Sequence, residues 1–391
     1  MNKQTDKLRI IYFIKFFADA LFCGYLSLYF ADFFDRYSWE YGILLGIIPF
    51  CALLGNFLWG ALSKNVKKNL MLIRIVISCE IVGICAFTAF GKNFPTLLIF
   101  TVFVSLFNSP YFTLQDGLGS SYSKKEKTSY PSIRLMGSCG YLFALIAGAG
   151  LLKLSENNYR VIFMISAILY IVCLILWFFI RPFDEEKNES VEKVRYKEVV
   201  TNKIFLLYFV FYLLLIGSHN VADSYLFSRM SEAGITSSMY SLVFASEILF
   251  EIVTMLILLK FIREDHYVKI LKISALILTL RTFLFGFSFP LGVLIAVAPL
   301  RGIGWGGFLS VHLLILRKIV STKLVTKAIS LLTVSLSLVN GLFTSFGTAI
   351  YSKITLPGFY LLLSGVQLLG IILLYFIPFH IEKEHRKEVS E

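Results

Sequence analysis

Charged residues are scarce in this chain, and their scarcity excludes an ordinary soluble domain. Only 16% of the 391 residues are charged and 57% are hydrophobic, whereas a soluble domain carries about 25% charged residues and about half apolar ones. The apolar residues form long unbroken runs, so they do not belong to one oversized soluble core. Together with a mean hydropathy of +0.76, these runs predict a membrane protein.

The sequence also lacks the motifs of common enzyme classes. It contains no HExxH, no GxSxG nucleophile elbow and no phosphate-binding glycine loop. Its six cysteines show no CxxC or metal-ligand spacing and are interpreted as packing residues. We therefore expect no enzyme activity, no cofactor and no bound metal. A membrane enzyme, a lipid-handling protein and a non-transporting sensor remain the alternatives from other classes.

Long apolar runs are what the chain does contain. A helix needs about 20 apolar residues to cross about 30 Å of hydrocarbon, and twelve runs meet this requirement. They lie near 10–31, 41–62, 69–91, 94–118, 130–152, 160–180, 203–223, 238–261, 267–289, 292–316, 328–350 and 358–379. The predicted fold is therefore an all-α membrane protein with twelve transmembrane helices. We expect an N-terminal six-helix bundle over 1–183, a cytoplasmic linker over 184–202 and a C-terminal six-helix bundle over 203–391.

The positive charges are distributed unevenly between the predicted loops. With the N-terminus in the cytoplasm, and with basic residues near the ends of spans counted with the adjoining loops, 26 of the 37 Lys and Arg residues are cytoplasmic, six are outside and five lie deep within spans. This positive-inside bias predicts that both termini are cytoplasmic. It also explains the net charge of +12 without a nucleic-acid partner. The expected location is the cytoplasmic (inner) membrane of a bacterium, with the lipid bilayer as partner and the protein acting as a monomer.

Two spans contain residues that interrupt helices. Asn108-Ser-Pro110 is expected to break span four, and Pro299 to loosen span ten. The glycines that follow Pro299 favour either close helix packing or the bending of a gate.

Ionisable residues inside apolar runs are the strongest functional signal. Each costs at least about 2.5–3.5 kcal/mol at mid-bilayer on insertion scales, so it is rarely there without a partner or a task. The acids and bases within spans are Lys15, Asp19, Arg74, Glu80, Asp116, Arg134, Glu247, Glu251, Arg281 and Arg301. Lys15 and Asp19 are four residues apart and either pair locally or let Lys15 reach the cytoplasmic surface. His219 and Asp223 are predicted to lie at the outer end of span seven, as gate or surface contacts.

One segment of the first half resembles a known family. Asp116 is followed eighteen residues later by Arg134-Leu-Met-Gly137-Ser138-Cys-Gly140-Tyr141, similar to the helix-four acid and helix-five arginine motif of lactose permease. The resemblance is to the major facilitator superfamily, in the branch of lactose permease and the phenylpropionate and nucleoside proton symporters. It implies that Asp116 and Arg134 bind the solute, that Ser138 lies against it and that Tyr141 stacks on it. From the residues alone, Asp116 and Arg134 could equally form a gate latch.

The second half both matches this branch and departs from it. Glu247 resembles the helix-eight glutamate that joins sugar binding to proton coupling, and Arg281 the helix-nine arginine that helps proton release. Helix ten differs, because Arg301 and Gly304 stand where lactose permease has a histidine and a glutamate. The loop after span two, Gly60 to Lys67, also departs from the pattern of the superfamily.

The sequence therefore predicts a secondary active transporter for proton symport of a small polar solute, a sugar or glycoside, by alternating access. The candidate proton-coupling residues are Asp19, Glu247, Arg281 and Arg301, with Asp19 included because several sugar symporters of the superfamily have an acid on helix one. Trp305 is a further candidate for stacking on the solute. The alternative solutes are an aromatic carboxylate, which the charge of Arg301 favours, and a nucleoside.

Overall fold

The computed structural model describes residues 4–63, 65–183, 196–261, 263–321 and 324–379. Within these residues the regular structure is helical. The long helices, labelled in chain order, are α1 Gln4–Phe33, α2 Trp39–Leu62, α3 Val66–Phe90, α4 Phe94–Lys125, α5 Tyr130–Leu154, α6 Tyr159–Phe178, α7 Lys203–Ser224, α8 Ser237–Phe261, α9 Tyr267–Phe285, α10 Leu291–Ile319, α11 Val325–Ile354 and α12 Leu356–Tyr375.

Eleven helices of the described residues are long and apolar enough to cross a membrane, which confirms most of the predicted spans. The exception is α9, because every 18-residue stretch of this 19-residue helix contains Lys269, Lys272 and Arg281. A twelfth transmembrane span therefore stays a prediction. The predicted linker lies partly outside the described residues, at 184–195, and its remainder contains a short helix, Tyr196–Val200.

Asparagine side chains fix several helix starts. Asn65 accepts a hydrogen bond from the Lys68 amide (2.9 Å), and Asn202 accepts one from the Phe205 amide (3.0 Å). At the start of α4, Asn93 forms a reciprocal capping box with Thr96. These side chains occupy amide groups that have no partner inside the helix, so the loops between the helices can be short.

The helix interruptions differ in part from the prediction. The predicted break at Asn108-Ser-Pro110 is wrong, because α4 continues through Pro110 as one helix of 32 residues. A proline inside a helix removes one backbone hydrogen bond and crowds the preceding turn, but this helix packs extensively against α2 and α3. In α10, the regular helices Leu291–Val297 and Leu300–Ile319 meet next to Pro299, as expected. Two irregularities were not predicted: a turn at Gly24 in α1, and a π-helical turn over Leu213–Gly217 in α7.

The chain divides into two compact units. Unit 1 contains α1–α6, together with Ile235–Ala245 at the start of α8 and Gly341–Ala349 of α11. Unit 2 contains α7, α9, α10, α12 and the remainder of α8 and α11. The exact bundle boundaries inferred from the sequence stay a prediction.

Hydrogen bonds and small residues attach the two added segments to unit 1. Ser238 donates to the Ala149 carbonyl (2.9 Å) and Ser241 to the Leu145 carbonyl (2.7 Å), both on α5. On α2, a Cβ added at Gly46 would lie 2.6 Å from the Ser345 amide nitrogen of α11. Glycine therefore permits the close approach of these two backbones.

The glycines of α10 set the packing of unit 2. A Cβ at Gly302 would meet the Glu247 carbonyl oxygen, and one at Gly306 would lie 2.8 Å from the Glu251 carbonyl oxygen, both on α8. A Cβ at Gly304 would lie 2.8 Å from Leu278 of α9. Glycines on two faces of α10 thus bring three helices together, which supports the packing interpretation; the bending of a gate stays a prediction.

Candidate functional site

Two carboxylate–arginine pairs form the centre of a buried cluster in unit 2. We call this cluster the Arg281 cluster; its members are Asp223 of α7, Glu247 and Glu251 of α8, Arg281 of α9 and Arg301 of α10. Arg281 donates to Asp223 Oδ1 at 2.5 Å and to Glu247 Oε1 at 2.9 Å. Arg301 donates to Asp223 Oδ2 at 2.9 Å and to Glu251 Oε2 at 3.3 Å. The cluster therefore joins four helices through ionic hydrogen bonds.

Burial separates the members of the Arg281 cluster into two groups. The side chains of Glu247 and Arg281 are fully buried, whereas that of Asp223 is 21% exposed. Glu247 Oε2 has no hydrogen-bond partner, although it lies 3.6 Å from Arg301 Nε. The five members carry three carboxylates and two guanidinium groups, and the His219 ring lies next to Asp223.

His219 and Trp305 lie beside this cluster. His219 is buried, with its Nε2 atom 3.5 Å from Asp223 Oδ2 and its ring centroid 5.6 Å from that of Trp305. Trp305 is half-buried and stacks on Phe308. The prediction that His219 and Asp223 are surface contacts is wrong, because both lie in the interior of unit 2: Asp223 contacts Arg281 of α9 and Arg301 of α10. The gate alternative stays a prediction.

A second buried cluster lies in unit 1. We call it the Lys15 cluster; its members are Lys15 and Asp19 of α1, Glu80 of α3, Asn108 of α4 and Tyr170 of α6. Lys15 Nζ is 3.5 Å from Asp19 Oδ1, 3.4 Å from Glu80 Oε1 and 3.1 Å from the Tyr170 hydroxyl oxygen. Lys15 is fully buried, which excludes the alternative that it reaches the membrane surface.

Aromatic rings and an amide complete the Lys15 cluster. Lys15 Nζ lies 4.4 Å from the ring centroids of Tyr111, Phe112 and Tyr170, a geometry that stabilises a buried cation. Asn108 Nδ2 donates to both Asp19 and Glu80. Sequence reasoning found the ions but assigned no role to Asn108 or Tyr170, since a polar residue in an apolar run does not reveal which helix it faces.

A cavity of about 160 Å³ lies next to the Lys15 cluster. Polar side chains from two helices line part of it: Cys23, Thr101, Ser105, Asn108 and Ser109. Asn108 belongs to both the cavity and the cluster, and Cys23 Sγ is 3.6 Å from Asp19 Oδ1. The cavity and the ionic groups are therefore direct neighbours within unit 1.

The Asp116–Arg134 pair lies apart from the Lys15 cluster members. Arg134 Nε is 3.9 Å from Asp116 Oδ2, and both side chains are about 40% exposed (41% and 39%). The Tyr12 hydroxyl donates to Asp116 Oδ1 (3.0 Å), and the Arg134 guanidinium lies 4.4 Å from the Phe16 ring centroid. The long separation and the exposure leave both groups able to bind another partner.

The glycines of the Arg134 motif act in packing. A Cβ at Gly137 would lie 2.8 Å from the Phe16 ring, and one at Gly140 would meet the Phe13 carbonyl oxygen. Close contact of α5 with α1 thus places Arg134 over Phe16. Ser138 and Tyr141 are half-buried on α5, and the Tyr141 ring centroid is 6.0 Å from that of Phe244.

The structure therefore groups the candidate residues into three sets. Glu247, Arg281 and Arg301 share the Arg281 cluster, with Trp305 adjacent; Asp19 belongs to the Lys15 cluster; Asp116 and Arg134 form a separate pair. The roles assigned to them from the sequence stay predictions.

Helices that can span a membrane, with ionic clusters buried inside each of two units, are typical of membrane carriers. The comparison with known families agrees: a model described as the MFS_1 like family matches residues 6–360. The chain belongs to this family and is a transporter of the major facilitator type, not an enzyme. This confirms the superfamily predicted from the sequence.

Individual relatives are distant. The uncharacterized transporter YwbF of Bacillus subtilis (strain 168) is 21% identical over 382 residues, covering 96% of this chain and 94% of the relative. A maltose permease of Geobacillus stearothermophilus is 24% identical over 139 residues, or 35% of each chain. Among solved structures, that of the nucleoside transporter NupG matches with a TM-score of 0.78 and 16% identity, covering 96% of this chain and 99% of that one. This likeness shows the fold.

Proposed function

We propose that this protein is a proton-coupled symporter that takes up a small polar solute, a sugar or glycoside, by alternating access across the cytoplasmic membrane of a bacterium. The observation that carries the proposal is the Arg281 cluster. Its fully buried glutamate, Glu247, contacts Arg281 at 2.9 Å and keeps one carboxylate oxygen without a hydrogen-bond donor.

The chemistry of this arrangement suits proton coupling. Ionised groups inside an apolar protein are costly unless their charges are balanced. Protonation of Glu247 removes one of the three negative charges of the Arg281 cluster, and moving Arg281 or Arg301 closer to Glu247 lowers its affinity for that proton. A conformational change that alters these distances therefore changes the proton affinity of the cluster, which is the physical requirement for coupling.

Solute binding is assigned to polar and aromatic groups that are partly exposed. In unit 1, Asp116 and Arg134 hydrogen-bond the hydroxyl groups of the solute, with Ser138 against it and Tyr141 stacking on it. In unit 2, Trp305 offers a further aromatic face. The 3.9 Å separation of Asp116 and Arg134 supports this role, because their ion pair is weak enough to open for a ligand.

A nucleoside is the second candidate solute. Its base would stack on Tyr141 or Trp305, and the fold is shared with a nucleoside transporter. The aromatic carboxylate has less support, since the positive charge of Arg301 that favoured it is already matched by Asp223 and Glu251.

Uptake into proteoliposomes tests the proposal. Purified protein is reconstituted, a pH gradient acid outside is imposed, and accumulation of labelled maltose, uridine and phenylpropionate is measured with and without a protonophore. We expect gradient-driven accumulation of maltose. Accumulation of uridine alone would select the nucleoside candidate, and accumulation without dependence on the proton gradient would contradict proton symport.

The variant Glu247→Gln tests the coupling residue. We expect it to exchange the solute between the two sides but not to accumulate it, because the amide preserves the shape of the side chain without binding a proton. Glu156→Gln, the same change at an exposed loop position, is the matched control and should behave as the wild type. Undiminished uphill uptake by Glu247→Gln would remove this residue from the mechanism.

A further inference from the structure

Glu80 is a fully buried acid of α3 to which the proposed mechanism gives no task. Its Oε1 atom accepts hydrogen bonds from Lys15 Nζ (3.4 Å) and Asn108 Nδ2 (3.1 Å). Its Oε2 atom is also buried but has no hydrogen-bond partner. A buried polar atom without a partner is uncommon and requires an explanation.

Asp19 accepts more hydrogen bonds than Glu80 in the same cluster. Its Oδ1 atom receives the Tyr170 hydroxyl at 3.0 Å, the Asn108 amide and the more distant Lys15 ammonium at 3.5 Å. At Glu80, a proton can be added to Oε2 without displacing any donor. Burial separates the two acids further, because the Glu80 side chain is fully buried whereas that of Asp19 is 10% exposed. An ionised Asp19 therefore keeps partial solvation and more hydrogen bonds, and Glu80 is the carboxylate whose charged form is the costlier of the two.

The charge balance of the cluster points the same way. Lys15 supplies one positive charge against the two carboxylates, Asp19 and Glu80. The other titratable groups facing Glu80 are thiols and phenols, none of which adds a positive charge; they are Cys23 of α1, Cys79 of α3, Tyr111 of α4, and Tyr170 and Cys173 of α6. One proton therefore makes the cluster electrically neutral.

The neighbouring cavity provides access to this group. Its volume of about 160 Å³ is enough for several water molecules, each of which occupies about 30 Å³ in the liquid. Thr101 lines the cavity, and its buried hydroxyl group has no hydrogen-bond partner. Asn108 connects the cavity to Glu80 directly.

From these contacts we infer that Glu80 is a second proton-binding residue of this transporter, separate from the Arg281 cluster and reached by water in the cavity beside Asn108. Lys15, which is surrounded by aromatic rings, is the counter-charge of the cluster. When Glu80 is ionised, Glu80 and Asp19 share this one positive charge. The inference rests on the proposed proton coupling and extends it: each unit carries its own proton site.

Infrared difference spectroscopy of the purified full-length protein tests this without any solute. Spectra recorded between about pH 6 and pH 9 report buried carboxyl groups, because exposed ones have an ordinary pKa near 4. In the Glu247→Gln variant, which retains Glu80, a protonated-carboxyl band should still appear at the acidic end of this pH range. Adding Glu80→Gln should remove that band, whereas adding Glu156→Gln should leave it unchanged.

Folding and side-chain length are controlled separately. Gel filtration and the melting temperature establish that each variant is folded, and Glu80→Asp, which keeps the carboxyl group, should retain a band at a changed frequency. A band that persists in folded Glu80→Gln protein would overturn the inference, and so would the absence of any band in the Glu247→Gln background.

Transport gives an independent measurement. Each coupled proton multiplies the attainable accumulation ratio by about ten per unit of pH gradient. Glu80→Gln should therefore lower the ratio for maltose or uridine, whichever the wild type accumulates, by about tenfold at a gradient of one unit; an unchanged ratio would overturn the inference. If the wild type accumulates no solute with the gradient, the proposed function itself fails, while the infrared result still decides whether Glu80 binds a proton.

Discussion

Arg281 shows most directly how one residue depends on its partners. Its guanidinium group is fully buried and donates to Asp223 and Glu247. The pairing compensates for the desolvation of all three charges. If one partner is removed, the remaining buried charge keeps its desolvation cost and loses its counter-charge.

The variant Arg281→Met is expected to destabilise the protein by about 3–5 kcal/mol, because it leaves buried carboxylates without a counter-charge. The measurement is the melting temperature of the purified protein in detergent. Arg281→Lys, which keeps the charge, should lose less. The double variant Arg281→Met/Glu247→Met should recover part of the loss; a double variant less stable than Arg281→Met would contradict this account.

Arg134 should respond differently, because its pair with Asp116 is long and partly exposed. We expect Arg134→Gln to change stability by less than about 1 kcal/mol and to raise the KM for the solute at least about tenfold, the effect of losing one charged hydrogen bond of about 1.4 kcal/mol or more. Thermal melting and uptake kinetics of the same preparation give both values. A large fall in stability with an unchanged KM would favour the gate-latch role instead.

At the scale of elements, glycine determines how closely the helices of unit 2 approach. A Cβ added at Gly302 would meet the backbone carbonyl oxygen of Glu247 on α8. The position of that carboxylate therefore depends on a residue with no functional group. Gly365 of α12 has no neighbour within 4 Å of an added Cβ and offers a matched comparison.

Gly302→Ala should destabilise the protein by about 1–3 kcal/mol, since the new methyl group overpacks two backbones. Gly365→Ala should instead stabilise it by about 0.5–1 kcal/mol, because alanine loses less backbone entropy in a helix. Melting temperatures of the two single variants decide the matter. Equal changes in melting temperature at both positions would show that helix propensity, and not close packing, determines the effect of substituting Gly302.

At the scale of the whole molecule, the distribution of positive charge predicts the orientation in the membrane. Lys127, between α4 and α5, is expected in the cytoplasm, and Asn157, between α5 and α6, outside. Both have a left-handed backbone, with φ of 51° and 63°, so the two sites are well matched for substitution.

In a variant whose six cysteines are replaced by serine, a membrane-impermeant maleimide added to intact cells should label Asn157→Cys but not Lys127→Cys. Permeabilised cells should label both, which controls for reactivity. The physical reason is that basic loops are retained on the cytoplasmic side. The reverse pattern in intact cells would place both termini outside.

Local patterns explain how much of the fold could be predicted from the sequence. Hydropathy averaged over about 20 residues is a property of one segment, so the helices were found at their positions without knowing their neighbours. The caps at Asn65, Asn93 and Asn202 act within a few residues and are equally local. The break expected at Pro110 failed because packing against α2 and α3 outweighs what one proline does locally.

The sequence by itself determined which ionisable residues enter the apolar helices, since a charge in a long apolar run is visible in one dimension. Only the tertiary structure decided their partners: Glu80 with Lys15, 65 residues apart, and Asp223 between Arg281 and Arg301. The physical reason is that a pair depends on the rotation and depth of two packed helices. The rotation and depth of the helices are set by packing contacts such as those of Gly302. The pattern of charges along the sequence does not specify these contacts.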